Sequence, residues 1–255
     1  ECSAMSMKYL GESFDIHCGA VDLIFPHHEN EIAQSEGASG KPFVRYWVHG
    51  EHLIVDGEKM AKSKGNFFTL RDLMGRGIDP WQVRYALQSV PYKRQLNFSF
   101  DLLRQAESSL DRLEDCRLGL TTAKLKPGSN ARIQELNASV LESFARAMDD
   151  DLNTAQALAA IFDWVRDLNT AGAEGAIGED DRSAALSVMH RINEVLVLWR
   201  PQEGTPDEKI RQLIEDRNQA RGARNYALAD KIRDQILEMG YIIEDTKDGV
   251  RWKKS

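Results

Sequence analysis

Apolar and polar positions alternate in short runs over the first 70 residues, then settle into a helical period that continues toward the end of the chain. Phe14-Asp15-Ile16, Val44-Arg45-Tyr46-Trp47-Val48 and Leu53-Ile54-Val55 are short runs that read as strands. Between the first two, Pro26 is expected to open a helix, because proline at a first helical position gives up an N–H that had no partner there. Asp56-Gly57 reads as a turn, and Thr69 with Asp72 three residues on reads as a capping box. Asp79-Pro80 starts another helix, with Val83, Leu87 and Val90 following at helical spacing. This alternation of strand and helix predicts half of an α/β sheet domain.

From Phe100 the pattern is almost wholly helical. Leu102, Leu103, Ala106, Leu110 and Leu113 form one apolar stripe. Lys124–Ser129, with Pro127-Gly128-Ser129, reads as a linker. The next helix carries Ile133, Leu136, Val140, Phe144 and Met148, and Asp151-Leu152-Asn153-Thr154 caps one with Leu158, Ile161, Phe162, Val165 and Leu168 inward. Ala171–Gly178 is expected to be a flexible loop. Leu186, Met189, Ile192, Val195, Leu196 and Trp199 are expected on a last bundle helix stopped by Pro201. Gln202–Pro206 reads as a second linker. The tail then predicts two helices, Asp207 to Ala223 and Tyr226 to Met239, and two short strands around Lys247-Asp248-Gly249, whose Asp-Gly signals a hairpin.

Composition narrows the class. The 255 residues are 42% hydrophobic, enough for one large domain or two to three small ones. No apolar run reaches the length of a membrane span, and no signal peptide is evident. Three widely spaced cysteines do not form a disulfide pattern, which points to a reducing cytoplasm. A net charge of −7 does not exclude nucleic acid, since a local basic patch suffices.

Candidate chemistry concentrates in three places. Lys59-Met60-Ala61-Lys62-Ser63-Lys64-Gly65-Asn66 offers three lysines, a serine hydroxyl and a glycine on one loop. It reads either as a solvated basic turn or as a polyphosphate site, with point charges, a hydroxyl and free amides. His27 and Glu31, four apart on one helix, share a face and form either a surface pair or part of a metal site. Cys2 could be brought beside them by the sheet, and Cys, His and Glu are all zinc ligands. His28 lies within a turn of Glu31 and competes with His27. Asp22 reads as a helix or turn cap, and Cys18 as a small buried residue or a stray thiol near the metal motif. In the tail, Arg217, Arg221, Arg224, Lys231 and Arg233 lie along two helices, where by themselves they read as a solvated face with salt bridges to Glu215, Asp216, Asp230 and Asp234.

Glu1-Cys2-Ser3-Ala4-Met5, Asp15-Ile16-His17, Phe25-Pro26-His27-His28-Glu29-Asn30-Glu31 and the lysine loop occur in this order. The loop resembles the KMSKS signature of class I aminoacyl-tRNA synthetases, with Ala61 in place of the usual serine. Taken together, the motifs resemble the cysteinyl-tRNA synthetase family over nearly the whole chain. The chain starts at Glu1 inside a family motif, so the expectation is the C-terminal part of a longer protein. The family's His-Ile-Gly-His signature is expected upstream, and this piece is expected to catalyse little alone.

The resemblance implies the second half of a Rossmann-type α/β catalytic domain at 1–75 and a connecting helical region at 76–125. A helical anticodon-binding bundle at 126–202 and a small α+β anticodon-reading module at 205–255 would follow. It implies one Zn2+ per subunit held by Cys2, His27 and Glu31, with a further family cysteine N-terminal to this chain. Zinc selects the thiol of cysteine over a hydroxyl, a distinction that a hydrophobic pocket makes by only about 1–3 kcal/mol. By the same resemblance, Lys59, Lys62 and Ser63 clamp ATP with its Mg2+, and Lys62 carries most of that role. Asp22 pairs with the substrate ammonium and His17 lines the amino-acid pocket. Arg221, Tyr226, Asp230 and Asp245 read the anticodon of tRNA(Cys). A cytoplasmic monomer is expected. Two alternatives remain: a paralogue joining cysteine to a small amine, and a non-enzymatic zinc or RNA-binding module.

Overall fold

The first strand, β1 (Phe14–Ala20), pairs in parallel with β2 (Val44–Gly50), with His17 opposite Trp47 and Gly19 opposite His49. Parallel neighbours cannot be joined by a tight turn, so the chain crosses between them through a helix. That helix is α2 (Glu29–Ser39), and α1 (Cys2–Leu10) precedes β1. Ser3 on α1 donates to Gln34 on α2 at 2.8 Å. These coordinates are a computed structural model that describes residues 1–200, 208–223, 225–246 and 249–254. The linker expected at Gln202–Pro206, Arg224, and Lys247 and Asp248 of the expected hairpin turn lie outside the described residues.

The helix expected to open at Pro26 begins later. A 3-10 turn (Val21–Leu23) and a wide turn of π type (Ile24–His28), containing a cis Phe25–Pro26 peptide, precede it, and α2 proper starts at Glu29. A short hairpin follows β2. β3 (Ile54–Val55) and β4 (Glu58–Lys59) are antiparallel around Asp56 and Gly57, and β5 (Asn97–Phe98) lies parallel to β3. Asp56 and Gly57 take φ of 49° and 80°, the left-handed conformation such a two-residue turn needs. Both expected caps are present. Thr69 and Asp72 close a capping box on α3 (Leu70–Gly75), and Asp79 with Gln82 closes one on α4 (Pro80–Gln88).

Four long helices follow: α5 (Phe100–Thr122), α6 (Ala131–Asp149), α7 (Thr154–Ala173) and α8 (Glu179–Leu196). Two compact units divide the chain, Glu1–Ser109 with Ser143–Ala160 and Leu110–Glu142 with Ile161–Ser255. The first buries Phe43, Val55, Leu73, Ala86, Phe98, Leu103 and Ala106 around the strands and α3 to α5. At the α6–α7 corner Asn153 caps α7, accepting from the Gln156 amide. Asp151 instead accepts from the Tyr92 hydroxyl at 2.6 Å and pairs with Lys93 at 2.5 Å.

The second unit holds its helices with Leu113, Ile133, Ile161, Val165, Leu168, Met189 and Ile192, all nearly fully buried. Trp164 donates to the buried Asn137 at 3.0 Å. Two expectations change here. Ala171–Gly178 is not a loose loop: α7 runs to Ala173, Ala171 is buried, and Asn130 donates to the Ala176 carbonyl at 3.0 Å. The last bundle helix stops at Leu196, before Trp199, and Val195 is exposed while Ala185 and Val188 are buried. The cause is Asn193, which exchanges hydrogen bonds with the backbone of Trp199 at 2.8 and 3.0 Å and replaces the helical partners. Trp199 is buried, its indole donating to the Leu113 carbonyl at 3.1 Å.

The tail has α9 (Glu208–Gly222), α10 (Tyr226–Glu238) and an antiparallel pair β6 (Tyr241–Thr246) and β7 (Gly249–Lys254). Ile232, Ile236 and Ile243 form its small core, with Leu213, Tyr241 and Trp252 packed on it.

A buried carboxylate ties the start of α6 to that of α8. Asp181 is 1% exposed and accepts from Asn130 N at 3.0 Å and Gly178 N at 2.9 Å. Gly178 cannot carry a side chain, since a Cβ there would lie 2.0 Å from the Gly128 carbonyl oxygen. Asp181→Ala strands two backbone donors and is expected to cost about 3 kcal/mol of stability, read as the shift of the urea unfolding midpoint. Asp181→Asn, which keeps one acceptor, should lose less; an unchanged midpoint in the alanine variant would remove this staple.

Candidate functional site

β1 alternates its faces, so His17 and Gly19 point the same way, and the parallel register sets Trp47 and His49 beside them. The wide turn Ile24–His28 then lowers His28 onto this face, where it is 3% exposed. Gly19 is required by the close approach: a Cβ there would meet His28 Cε1 at 2.5 Å. His28 Nδ1 and His49 Nε2 are 2.8 Å apart, so one must donate and the other accept. The rings of His17 and His28 lie 4.9 and 4.8 Å from Trp47, and His49 stacks on it at 6.1 Å. Burial, reinforced by His17, holds the His28 ring below the ordinary histidine value, which favours its neutral form.

Glu31, in the first turn of α2, is 3% exposed at the centre of this cluster. Its Oε2 lies 2.9 Å from His17 Nε2, 3.6 Å from His27 Nε2 and 3.8 Å from His28 Nε2. Its Oε1 is buried with no hydrogen-bond partner among the described residues. A buried carboxylate so placed calls for a positive partner. The ligand atoms of Cys2, His27 and Glu31 lie within 4.8 Å of one another, as do those of His17, His28 and Glu31. Tetrahedral zinc with ligands at 2.0–2.3 Å needs separations of about 3.3–3.8 Å, and the 4.8 Å bound on either trio lies above that range. A thiol, an imidazole and a carboxylate suit a borderline-soft divalent ion.

The two other residues expected here behave differently. Asp22 is exposed and pairs with His52 at 3.2 Å. Cys18 is exposed, not buried as expected, because it lies on the opposite face of β1 from His17 and Gly19. There it lines a mainly apolar cavity of about 440 Å³ with Val48, Gly50, Leu87 and Leu152. Sequence reasoning passed over Trp47 and His49; their period-two spacing in β2 was the available signal.

The lysine loop leaves β4 at Lys59. A single 3-10 turn (Lys62–Lys64) ends at Gly65, whose φ of 68° reverses the chain. Lys59, Lys62 and Ser63 are exposed. Lys64 is committed to Glu58 at 2.8 Å, and that bond holds the Glu58 carboxyl below its usual range. Lys62 Nζ stands 5.4 Å over the Phe67 ring. The loop therefore offers Lys59 and Lys62 to solvent and keeps Lys64 for itself.

In the tail, Asp245 on β6 accepts from both Arg217 and Arg221 of α9. The Arg217 fork binds it at 2.9 and 2.8 Å, and Arg217 is 5% exposed. Arg217 therefore faces β6, not solvent. Tyr226 is 61% exposed and Asp230 is exposed on α10.

Residues 1–108 match the family described as tRNA synthetases class I (C) catalytic domain, and residues 143–199 match the DALR domain. A cysteine–tRNA ligase of Solibacter usitatus is 46% identical over 257 residues, covering all of this chain and 55% of that protein. One of Symbiobacterium thermophilum is 47% identical over 268 residues, with the same two coverages, 100% and 55%. The chain thus spans about half the length of the curated relatives it matches. Among solved structures, Mycobacterium tuberculosis methionyl-tRNA synthetase in complex with methionyl-adenylate shares the fold at a TM-score of 0.53 and 22% identity, over 72% of this chain and 40% of that one. Agrobacterium radiobacter K84 agnB2 LeuRS, in a ternary complex with tRNA and LeuAMS, does so at 0.56 and 14%, over 72% and 26%. No helix among the described residues is long and apolar enough to cross a membrane.

The Arg217–Asp245 pair has a pH signature. Hydrogen bonding from Arg217, aided by Arg221, lowers the Asp245 carboxyl from 3.8 to about 2. A depressed carboxyl stabilises fully above its unfolded value and loses that contribution as pH falls toward the folded one. Protection of the β6 and β7 amides against hydrogen exchange is therefore expected to drop between pH 3.8 and about 2. Asp245→Asn should start lower at pH 7 and stay flat across that window; an acid loss equal to that of the unaltered chain would detach it from this pair.

Proposed function

Because this chain belongs to the cysteine–tRNA ligase family of class I aminoacyl-tRNA synthetases, matching the C-terminal part of its members, we propose that the protein carrying it joins cysteine to tRNA(Cys) through a cysteinyl-adenylate. The observation that carries this reading is the buried Glu31 carboxylate, whose oxygen and the ligand atoms of Cys2 and His27 lie within 4.8 Å of one another. Cys2, His27 and Glu31 would hold one zinc ion. Zinc bound there lowers the pKa of a coordinated thiol and takes a thiolate far more readily than a hydroxyl.

The chain's own residues do the rest. His17 holds Glu31 Oε2 at 2.9 Å and orients it. His28, whose burial favours the neutral ring, is hydrogen-bonded to His49 across 2.8 Å, and both rings lie against Trp47. Asp22, exposed in the 3-10 turn that follows β1, offers a carboxylate to the substrate ammonium. Lys59 and Lys62, with the Ser63 hydroxyl, neutralise the phosphates of ATP, whose Mg2+ completes the charge balance as pyrophosphate leaves. In the tail, Arg221, Tyr226, Asp230 and Asp245 offer a guanidinium, a stacking ring and carboxylates to unpaired bases. The boundaries near 75, 125 and 202 remain our division of the chain into catalytic, connecting, bundle and tail parts, and the reading includes a cytoplasmic monomer.

A specific observation favours a second ligand set, His17, His28 and Glu31, since Glu31 is shared by both trios. Cys2→Ser separates them. The proposed site predicts about one zinc per unaltered chain by atomic absorption and clear loss in the variant. With the complete natural protein, cysteine should then lose its advantage over serine. Full zinc content and undiminished discrimination in Cys2→Ser would move the metal to the second set.

Lys62→Ala tests the phosphate clamp. Losing one charged contact to a leaving group costs about 3 kcal/mol, roughly a hundredfold in cysteine-dependent pyrophosphate exchange, with cysteine binding nearly intact. Exchange within twofold of the unaltered protein would end this assignment.

A further inference from the structure

One side chain joins the two ends of the lysine loop at its base. Asn66 Oδ1 accepts from the Ala61 amide at 2.8 Å, and Asn66 Nδ2 donates to the Lys59 carbonyl at 3.2 Å. The Ala61 amide can only donate and the Lys59 carbonyl can only accept, so the orientation of the carboxamide is forced. Asn66 is half-buried, next to Phe67, the ring beneath Lys62. We propose that Asn66 is a positioning residue for the nucleotide: its carboxamide clips the two ends of the loop together and sets Lys59 and Lys62 for the phosphates before ATP arrives. The proposal rests on the phosphate reading of the loop given above.

The physical need is plain. Ala61 has no polar side chain to anchor the turn, and the remaining backbone bonds of the loop are Lys64 N to Ala61 O at 3.1 Å and Gly65 N to Lys62 O at 3.2 Å. Those bonds shape the turn, and the other tie to β4 is the exposed Lys64–Glu58 ion pair at 2.8 Å, made through a long flexible side chain. β4 ends at Lys59, and a carboxamide presents a donor and an acceptor side by side as a peptide group does. Asn66 therefore continues the strand's hydrogen bonding across the mouth of the loop. Without it, two exposed lysines on a mobile loop would be ordered only when ATP binds, and that entropy would be charged to the reaction. Aspartate supplies acceptors only, so it can keep the Ala61 bond but not the Lys59 bond. Alanine keeps neither.

The test uses the complete natural protein that carries this chain, with exchange, cysteine binding and trypsin cleavage measured together. Asn66→Ala is expected to slow cysteine-dependent pyrophosphate exchange at least tenfold, with cysteine binding and the melting temperature unchanged. Trypsin should cut after Lys59, Lys62 or Lys64 at least fivefold faster, since the clip no longer restrains them. Asn66→Asp should fall between Asn66→Ala and the unaltered protein in cleavage rate. Because Asn66 acts through the lysines, its effect on exchange should shrink below twofold in the Lys62→Ala background. Three results would overturn the proposal: exchange in Asn66→Ala within twofold of the unaltered protein, an unchanged cleavage rate, or a full tenfold effect persisting in Lys62→Ala. Failure of the phosphate reading itself is told apart by Lys62→Ala alone, which would then leave exchange unaltered.

Discussion

Glu31 is the constraint around which the first unit is organised. It is a carboxylate 3% exposed, with one oxygen shared among three histidines and the other unpartnered among the described residues. An isolated carboxylate is costly away from water, so positive partners must converge on it. That demand accounts for the surrounding geometry. The wide turn before α2 drops His28 into the sheet, Gly19 gives up its side chain to admit it, and α1 is fastened to α2 through Ser3 so that Cys2 arrives beside His27. Each of these features is weak evidence alone. Their convergence on one buried charge sets this cluster apart within the first unit.

The lysine loop works on the opposite principle. Its charges stay in water, where opposing a polyanion requires order more than compensation. Lys64 is spent on Glu58 and Lys62 rests over Phe67, while Asn66 closes the loop at its base. The substitution of alanine for the serine usual in such loops removes a hydroxyl but leaves the backbone amide that Asn66 holds. In the tail a third arrangement appears. Asp245 is gripped by a buried Arg217 and by Arg221, so this carboxylate is already oriented, and already engaged, within the module.

Much of this was legible in the sequence, and the reasons are local. Capping boxes at Thr69 and Asp79, the Asp56-Gly57 turn and the apolar stripes of α5 to α7 depend on neighbours a few residues away, so the sequence alone determined them. The pairing of His27 with Glu31 follows from helical spacing, and the ordered motifs identified the family. What depended on which polar groups meet was decided only by the tertiary structure. Asn193 ends α8 early by bonding to Trp199 six residues on, Asp181 and Asn130, 51 residues apart, tie an Ala- and Gly-rich stretch, and Cys18 faces away from the Glu31 cluster because β1 alternates. The meeting of His28 with His49, of Arg217 with Asp245 and of Asn66 with Lys59 likewise has no local signature. Each joins a polar group to a partner that hydrophobic periodicity cannot specify, because periodicity says which face is buried and not which donor meets which acceptor across it.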